Sequence, residues 1–165
     1  MRGGSSAYYP EGVVDVGVLV VSLFRNPLQE TAVSFLADVL LQKRRAAIPV
    51  TAVLGAFHVA TRYLKLPALE VKRALGGMLE TASPAFYPYV PPEYALDAIE
   101  YAAYYRLESW DGYLVKLAKS VGNSIIYTLD EELKRVEGVV VVNPFPQELV
   151  RQYHEHLRSK LRGSR

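Results

Sequence analysis

Val13-Val14-Asp15-Val16 is a β-branched run and reads as a short first strand. The apolar pattern continues from Gly17 to Phe24 but carries leucine, so it can turn helical before Asn26-Pro27 breaks it. From Leu28 to Arg45 the apolar positions Leu28, Ala32, Phe35, Leu36, Val39 and Leu40 recur at helical spacing, and Lys43-Arg44-Arg45 would sit in the last turn. Ala47 to Val50 is a second short strand. Helices follow over about Thr51–Leu64, ended by Pro67, and over about Ala68–Leu79. Phe86-Tyr87-Pro88-Tyr89-Val90 is aromatic and β-prone, but its proline cannot donate to a ladder, which predicts an edge strand.

Two further helices are predicted, from Glu93 to Leu107 and from Trp110 to Val121, the latter closed by Gly122-Asn123. Ser124 to Thr128 is the next strand, Asp130 to Arg135 a short helix, and Val139 to Val142 a last β-branched strand before Asn143-Pro144. Short strands alternating with helices imply crossover connections and a mostly parallel sheet covered on both faces. The fold class expected is therefore α/β, a three-layer α/β/α sandwich. Residues 1–12 are small, polar and turn-forming and read as a flexible leader, 13–145 as the folded domain, and 146–165 as a basic C-terminal helix or tail that frays.

Composition narrows the function classes. A chain of 165 residues with 50% hydrophobic and 22% charged residues suits one folded domain. Cysteine is absent, which excludes disulfides, thiolate catalysis and zinc–thiolate sites. A formal net charge of +2 permits a nucleic-acid partner without arguing for one. The run VVDVGVLVVSLF is interrupted by an aspartate and falls short of the roughly 20 apolar residues of a membrane span. A cytoplasmic protein with no membrane association is the expectation.

In a parallel sheet, ligands bind outside the carboxyl ends of the strands. Asp15 lies near the end of the first strand, Asp130 follows the Ser124–Thr128 strand, and Asp111 starts the helix that feeds it. An unpaired carboxylate among Val13, Val14, Val16 and Val18 is expensive, and a bound cation would explain Asp15 directly. The other two have ordinary roles as helix-start acids: Asp111 behind a Ser109 cap, and Asp130 within the capping-box spacing Thr128-x-x-Glu131. Taken together, three carboxylates converging on one crevice suit a hard divalent cation and phosphoryl chemistry.

The ordered set VVDVGVLV, AIPVTAVLGAFHVATRYL, LESWDGYLVKLAKSVG, IIYTLDEEL and VVVVNP resembles the PIN-domain family, over roughly residues 13–144. The resemblance implies the α/β/α fold and Mg²⁺- or Mn²⁺-dependent hydrolysis of single-stranded RNA. In many bacterial and archaeal members that activity is the toxin half of a toxin–antitoxin pair, and homodimers are common. Carried across residue by residue, it gives Asp15, Asp111 and Asp130 as catalytic metal ligands. Thr128 matches the threonine two places before the last acid, and Glu131 is an adjacent extra acid; both are expected to support the ligands. The family's glutamate in the helix after the second strand falls here on Gly55, and no Asp or Glu occurs between Ala46 and Leu69. Gly17 likewise replaces a small polar residue two places after the first aspartate.

That incomplete acidic set leaves two readings, a ribonuclease weakened by one missing ligand and a catalytically inactive PIN-fold RNA-binding or scaffold protein. A receiver-like phosphate-handling domain would want a lysine after a late strand, and VVVVNP supplies none. His58, one turn beyond Gly55, is a further candidate ligand. Lys43-Arg44-Arg45 and the tail cations read as solvated helix features, and the tyrosines Tyr101 and Tyr105, four apart, as one buried or dimerising stripe.

Overall fold

The computed structural model describes residues 10–163, so positions 1–9 of the expected leader lie outside the described residues. In chain order the elements are β1 (Gly12–Val14), α1 (Val16–Val21), α2 (Gln29–Leu40), β2 (Ala46–Pro49), α3 (Val50–His58), α4 (Ala68–Glu80) and β3 (Phe86–Tyr87). The second half adds α5 (Pro92–Tyr105), α6 (Ser109–Ser120), β4 (Ile125–Tyr127), β5 (Val140–Val142) and α7 (Gln147–Arg162). A π-helical turn, Val59–Tyr63, prolongs α3, and a 3₁₀ turn, Glu131–Arg135, precedes β5.

The five strands form one sheet in the order β3-β2-β1-β4-β5, and every neighbouring pair is parallel. Alternation along the strands sorts the core into two halves. Val14, Ile48 and Tyr127 face a layer holding Leu19, Leu28, Leu36 and Val53, against which Leu149, Val150 and Tyr153 of α7 also pack. Val13, Ala47 and Ile126 face the other layer, with Ala98, Leu114, Leu117 and Leu133. The architecture is thus the expected three-layer α/β/α sandwich, with both faces of a parallel sheet covered by helices.

Several boundaries differ from the expectation for local reasons. β1 stops at Val14, because Asp15 caps α1 by accepting from the Val16 N–H at 2.6 Å. α2 stops at Leu40, and Gln42 takes φ 60°, so Lys43-Arg44-Arg45 lie beyond the helix rather than in its last turn. The Arg44 guanidinium sits 5.1 Å from the Phe35 ring centroid and 5.7 Å from that of Tyr127, which accounts for it within the fold. The edge strand is real but only Phe86–Tyr87 long, ending before Pro88. α7 holds its helix as far as Arg162 instead of fraying, because one face lies on the core. Among the described residues no helix is long and apolar enough to cross a membrane.

A candidate metal-dependent site at the sheet switch point

The strand order reverses direction at β1: the chain runs outward through β2 and β3, then returns to place β4 on the opposite side of β1. That is the topological switch point, where the loops leaving two adjacent strands diverge and open a crevice. The β1–β4 register pairs Val14 with Tyr127, so Asp15 and Thr128 come level at the carboxyl edge. α6 runs back towards the start of β4, which brings its first turn, with Asp111, over the same edge. Asp15, Asp111, Thr128 and Asp130 all line one crevice of about 370 Å³. A larger groove of about 870 Å³ lies on the outer side of α5, between Asp97, Glu100, Tyr104 and Glu137, away from the strand ends.

Asp15 is 7% exposed, and its carboxylate is held on both oxygens. Oδ1 accepts from the Val16 N–H, and Oδ2 accepts from the Thr128 hydroxyl at 2.6 Å. Thr128, 1% exposed, accepts in turn from the Asp130 N–H at 2.9 Å. One hydroxyl therefore ties the loops after β1 and β4 together. Thr128 is not the helix cap that its spacing suggests; Asp130 is, accepting from the Glu132 N–H at 2.9 Å. Burial pushes the Asp15 carboxyl above its ordinary range, the two hydrogen bonds pull it back, and the Asp130 charge raises it again.

Asp111 is raised from 3.8 to about 7, first by burial, then by the charges of Asp15, Asp130 and Glu108. Glu108, not Ser109, occupies the cap position of α6, and no side chain caps that helix. Asp111 therefore has no local structural partner to explain it, while its neighbours make its charge costly. Without a cation such a carboxyl keeps its proton through the weakly acidic range.

Other predicted positions fall elsewhere. Glu131 turns outward and pairs with Lys134, so it does not support the crevice. His58 is exposed, edge-on to Tyr63 with ring centroids 5.7 Å apart, and lies outside the crevice wall. Gly55 faces α1: a Cβ there would stand 3.1 Å from Val16 Cγ2, a close approach beside the residue that follows Asp15. Gly17 lines the crevice and has open space where a side chain would go. Several wall residues escaped the sequence reading, Val59, Trp110 and Tyr153 among them. Val59 comes from the π turn, a distortion frequent at functional sites. Trp110 and Tyr153 come from α6 and α7.

The donor set is entirely oxygen, as a hard cation requires. Among the described residues, however, no group of three His, Cys, Asp or Glu side chains is gathered closely enough to hold a metal ion. The arrangement fits a site with one or two carboxylate ligands and several waters, the usual habit of Mg²⁺, rather than a closed protein cage. Thr128→Val tests the support. It orphans one Asp15 oxygen and the Asp130 N–H, and it removes an interaction that lowers the Asp15 pKa. If the crevice is a divalent-cation site, the expected result is a loss of roughly 10- to 100-fold in cation affinity, read by calorimetry, with binding shifted to higher pH. No family model matches the chain, and no curated protein matches it.

Proposed function

We propose that the chain is a PIN-type, Mg²⁺- or Mn²⁺-dependent endoribonuclease acting on single-stranded RNA. The observation that carries the reading is the meeting of Asp15, Asp111 and Asp130 at one switch-point crevice, two of them with carboxyl groups pushed upward first by burial and then by neighbouring carboxylates. The order of motifs that resembles the PIN-domain family supplies the reaction class. When bound, Mg²⁺ or Mn²⁺ supplies positive charge against phosphate oxygens and activates water. The chain's own part is positional. Thr128 and the Val16 N–H hold the Asp15 carboxylate in one orientation, and the apolar wall of Val20, Val21 and Leu129 thins out water around it. Asp111, whose carboxyl is raised to about 7, would hold the cation as a carboxylate and would release its proton to do so. The toxin-type resemblance brings two companions to the proposal, a small antitoxin protein as partner and a homodimer, and the short, charge-interrupted apolar run adds a cytoplasmic setting.

The test is cleavage of single-stranded RNA by the purified protein with Mg²⁺ or Mn²⁺. Activity is expected to vanish with a chelator and in Asp15→Asn. No cleavage across varied RNAs with either cation would sink the proposal.

A second reading, an inactive PIN-fold RNA-binding or scaffold module, is favoured by Gly55. The place of the missing glutamate is taken up by close packing on Val16. Gly55→Glu separates the two. In the nuclease reading it strengthens Mn²⁺ binding and cleavage, at some cost in thermal stability from the contact with Val16. In the scaffold reading only the stability cost is seen.

A further inference from the structure

Among the described residues no lysine or arginine lines the carboxylate crevice, so a strand entering it finds none of their cationic side chains to grip its phosphates. The cations of α7 lie elsewhere: Arg151 is paired with Glu148 and Glu155, Arg158 and Arg162 line a separate groove with Glu155, and Lys160 lies over the Phe24 ring. Affinity for nucleic acid at this site must come largely from the bases. The wall provides for that. Trp110, the chain's single tryptophan, is 42% exposed in the first turn of α6, next to Asp111 and lining the crevice. An indole left so open forfeits burial that a core position would give it. Among the described residues neither an aromatic ring nor a cation rests on it. Tyr153 of α7 lines the same crevice, and Val16, Val59 and Leu129 make the remaining wall apolar.

We infer that Trp110 is a stacking platform for an unpaired base, setting the adjoining phosphate against Asp15, Asp111 and Asp130. This rests on the ribonuclease reading and adds to it how the strand is held. Every base has a π face, so the platform selects single strands over duplexes without selecting sequence. With few phosphates neutralised by protein side chains, binding also depends only weakly on salt.

A single tryptophan makes the test direct. A short single-stranded RNA, added with Ca²⁺ in place of Mg²⁺ or Mn²⁺, is expected to quench the intrinsic Trp110 fluorescence. An abasic strand of equal length and charge is expected not to quench it. By anisotropy of the labelled strand, Trp110→Ala should weaken binding by about 5- to 150-fold, the range of one lost base stack, while Trp110→Phe stays close to wild type. Equal affinity for the abasic and base-bearing strands, an unaffected Trp110→Ala, or no binding of any strand would each overturn the inference. Cleavage assays on the same preparations separate the two claims. Aspartate-dependent cleavage without base preference leaves the nuclease standing and removes the platform; base-dependent quenching without cleavage under Mg²⁺ or Mn²⁺ leaves the platform and removes the nuclease.

Discussion

Asp111→Asn is expected to make the metal-free protein more stable and, in the same molecule, to abolish the RNA cleavage proposed for it. The folded-state pKa of about 7 lies above the ordinary 3.8, so the folded protein binds this proton more tightly than the unfolded chain. Stability attributable to Asp111 is then fully present below about pH 4, falls as pH rises, and is gone above about pH 7. The full cost is on the order of a few kcal/mol, reduced by whatever water reaches the half-buried carboxyl. Asparagine keeps the shape and cannot ionise. At pH 8 without divalent cation, the variant should therefore melt several degrees above wild type. At pH 4 the two should coincide. Asp15 and Asp111 are coupled, so the difference between the two proteins reports the Asp111 proton together with the relief its loss gives Asp15. Saturating Mg²⁺ or Mn²⁺ should lift the wild-type Tm and leave the variant nearly unmoved. Cleavage should drop by at least roughly 100-fold, since even residues that merely support a metal ligand cost 10- to 100-fold. Melting curves at pH 4 and pH 8, with and without cation, check all of this. A Tm difference indifferent to pH would mean that burial and its acidic neighbours do not raise the Asp111 carboxyl as described.

Much of this site could be read from the chain because strand ends are local features. Asp15 and Asp130 each follow a β-branched run, and a parallel sheet makes such positions neighbours whenever their strands pair, as β1 and β4 do. Leucine in the run from Gly17 to Phe24 pointed to the helix that α1 forms, although α1 is apolar on nearly every side, with Val18, Leu19, Val20 and Val21 buried, and periodicity alone does not separate such a helix from a buried strand. Local pattern failed where two local structures shared one signal. Thr128-x-x-Glu131 has capping-box spacing, yet the Thr128 hydroxyl is spent on Asp15, 113 residues away in sequence, and no spacing rule reaches across that distance. Tyr153 was illegible for the same reason: its place in the crevice depends on how α7 lies over the core. Trp110 did leave a trace, a lone tryptophan beside an acid at a helix start, where packing alone gives no reason for one.

Gly112→Ala is expected to be strongly destabilising for a single added methyl, and to disable the proposed site at temperatures where the protein is still folded. In an open helix this substitution helps by about 1 kcal/mol. Here the added Cβ would lie 2.1 Å from the Ala98 carbonyl oxygen of α5 and 3.1 Å from the Ala102 nitrogen. Those atoms belong to a helix backbone, so no side chain can swing aside; α5 and α6 must part. Overpacking typically costs 1–3 kcal/mol when side chains can adjust, and rigid backbone places this case at the upper end or beyond. The propensity gain offsets only part of it, leaving a fall in Tm of roughly 5–10 °C for a chain of this length. Asp111 is the neighbour of Gly112 in the same first turn, so the shift that relieves the clash moves a carboxylate relative to Asp15 and Asp130. Cleavage measured at 15–20 °C below the variant's own Tm should still be depressed, which loss of folded protein alone would not produce. Gly77→Ala is the matched control. It lies in α4, exposed, with nothing within 4 Å of the new methyl, and should raise Tm slightly and leave cleavage alone. Opposite signs from one chemical change would separate close helix packing from helix propensity, and would show that the α5–α6 contact holds Asp111 in place.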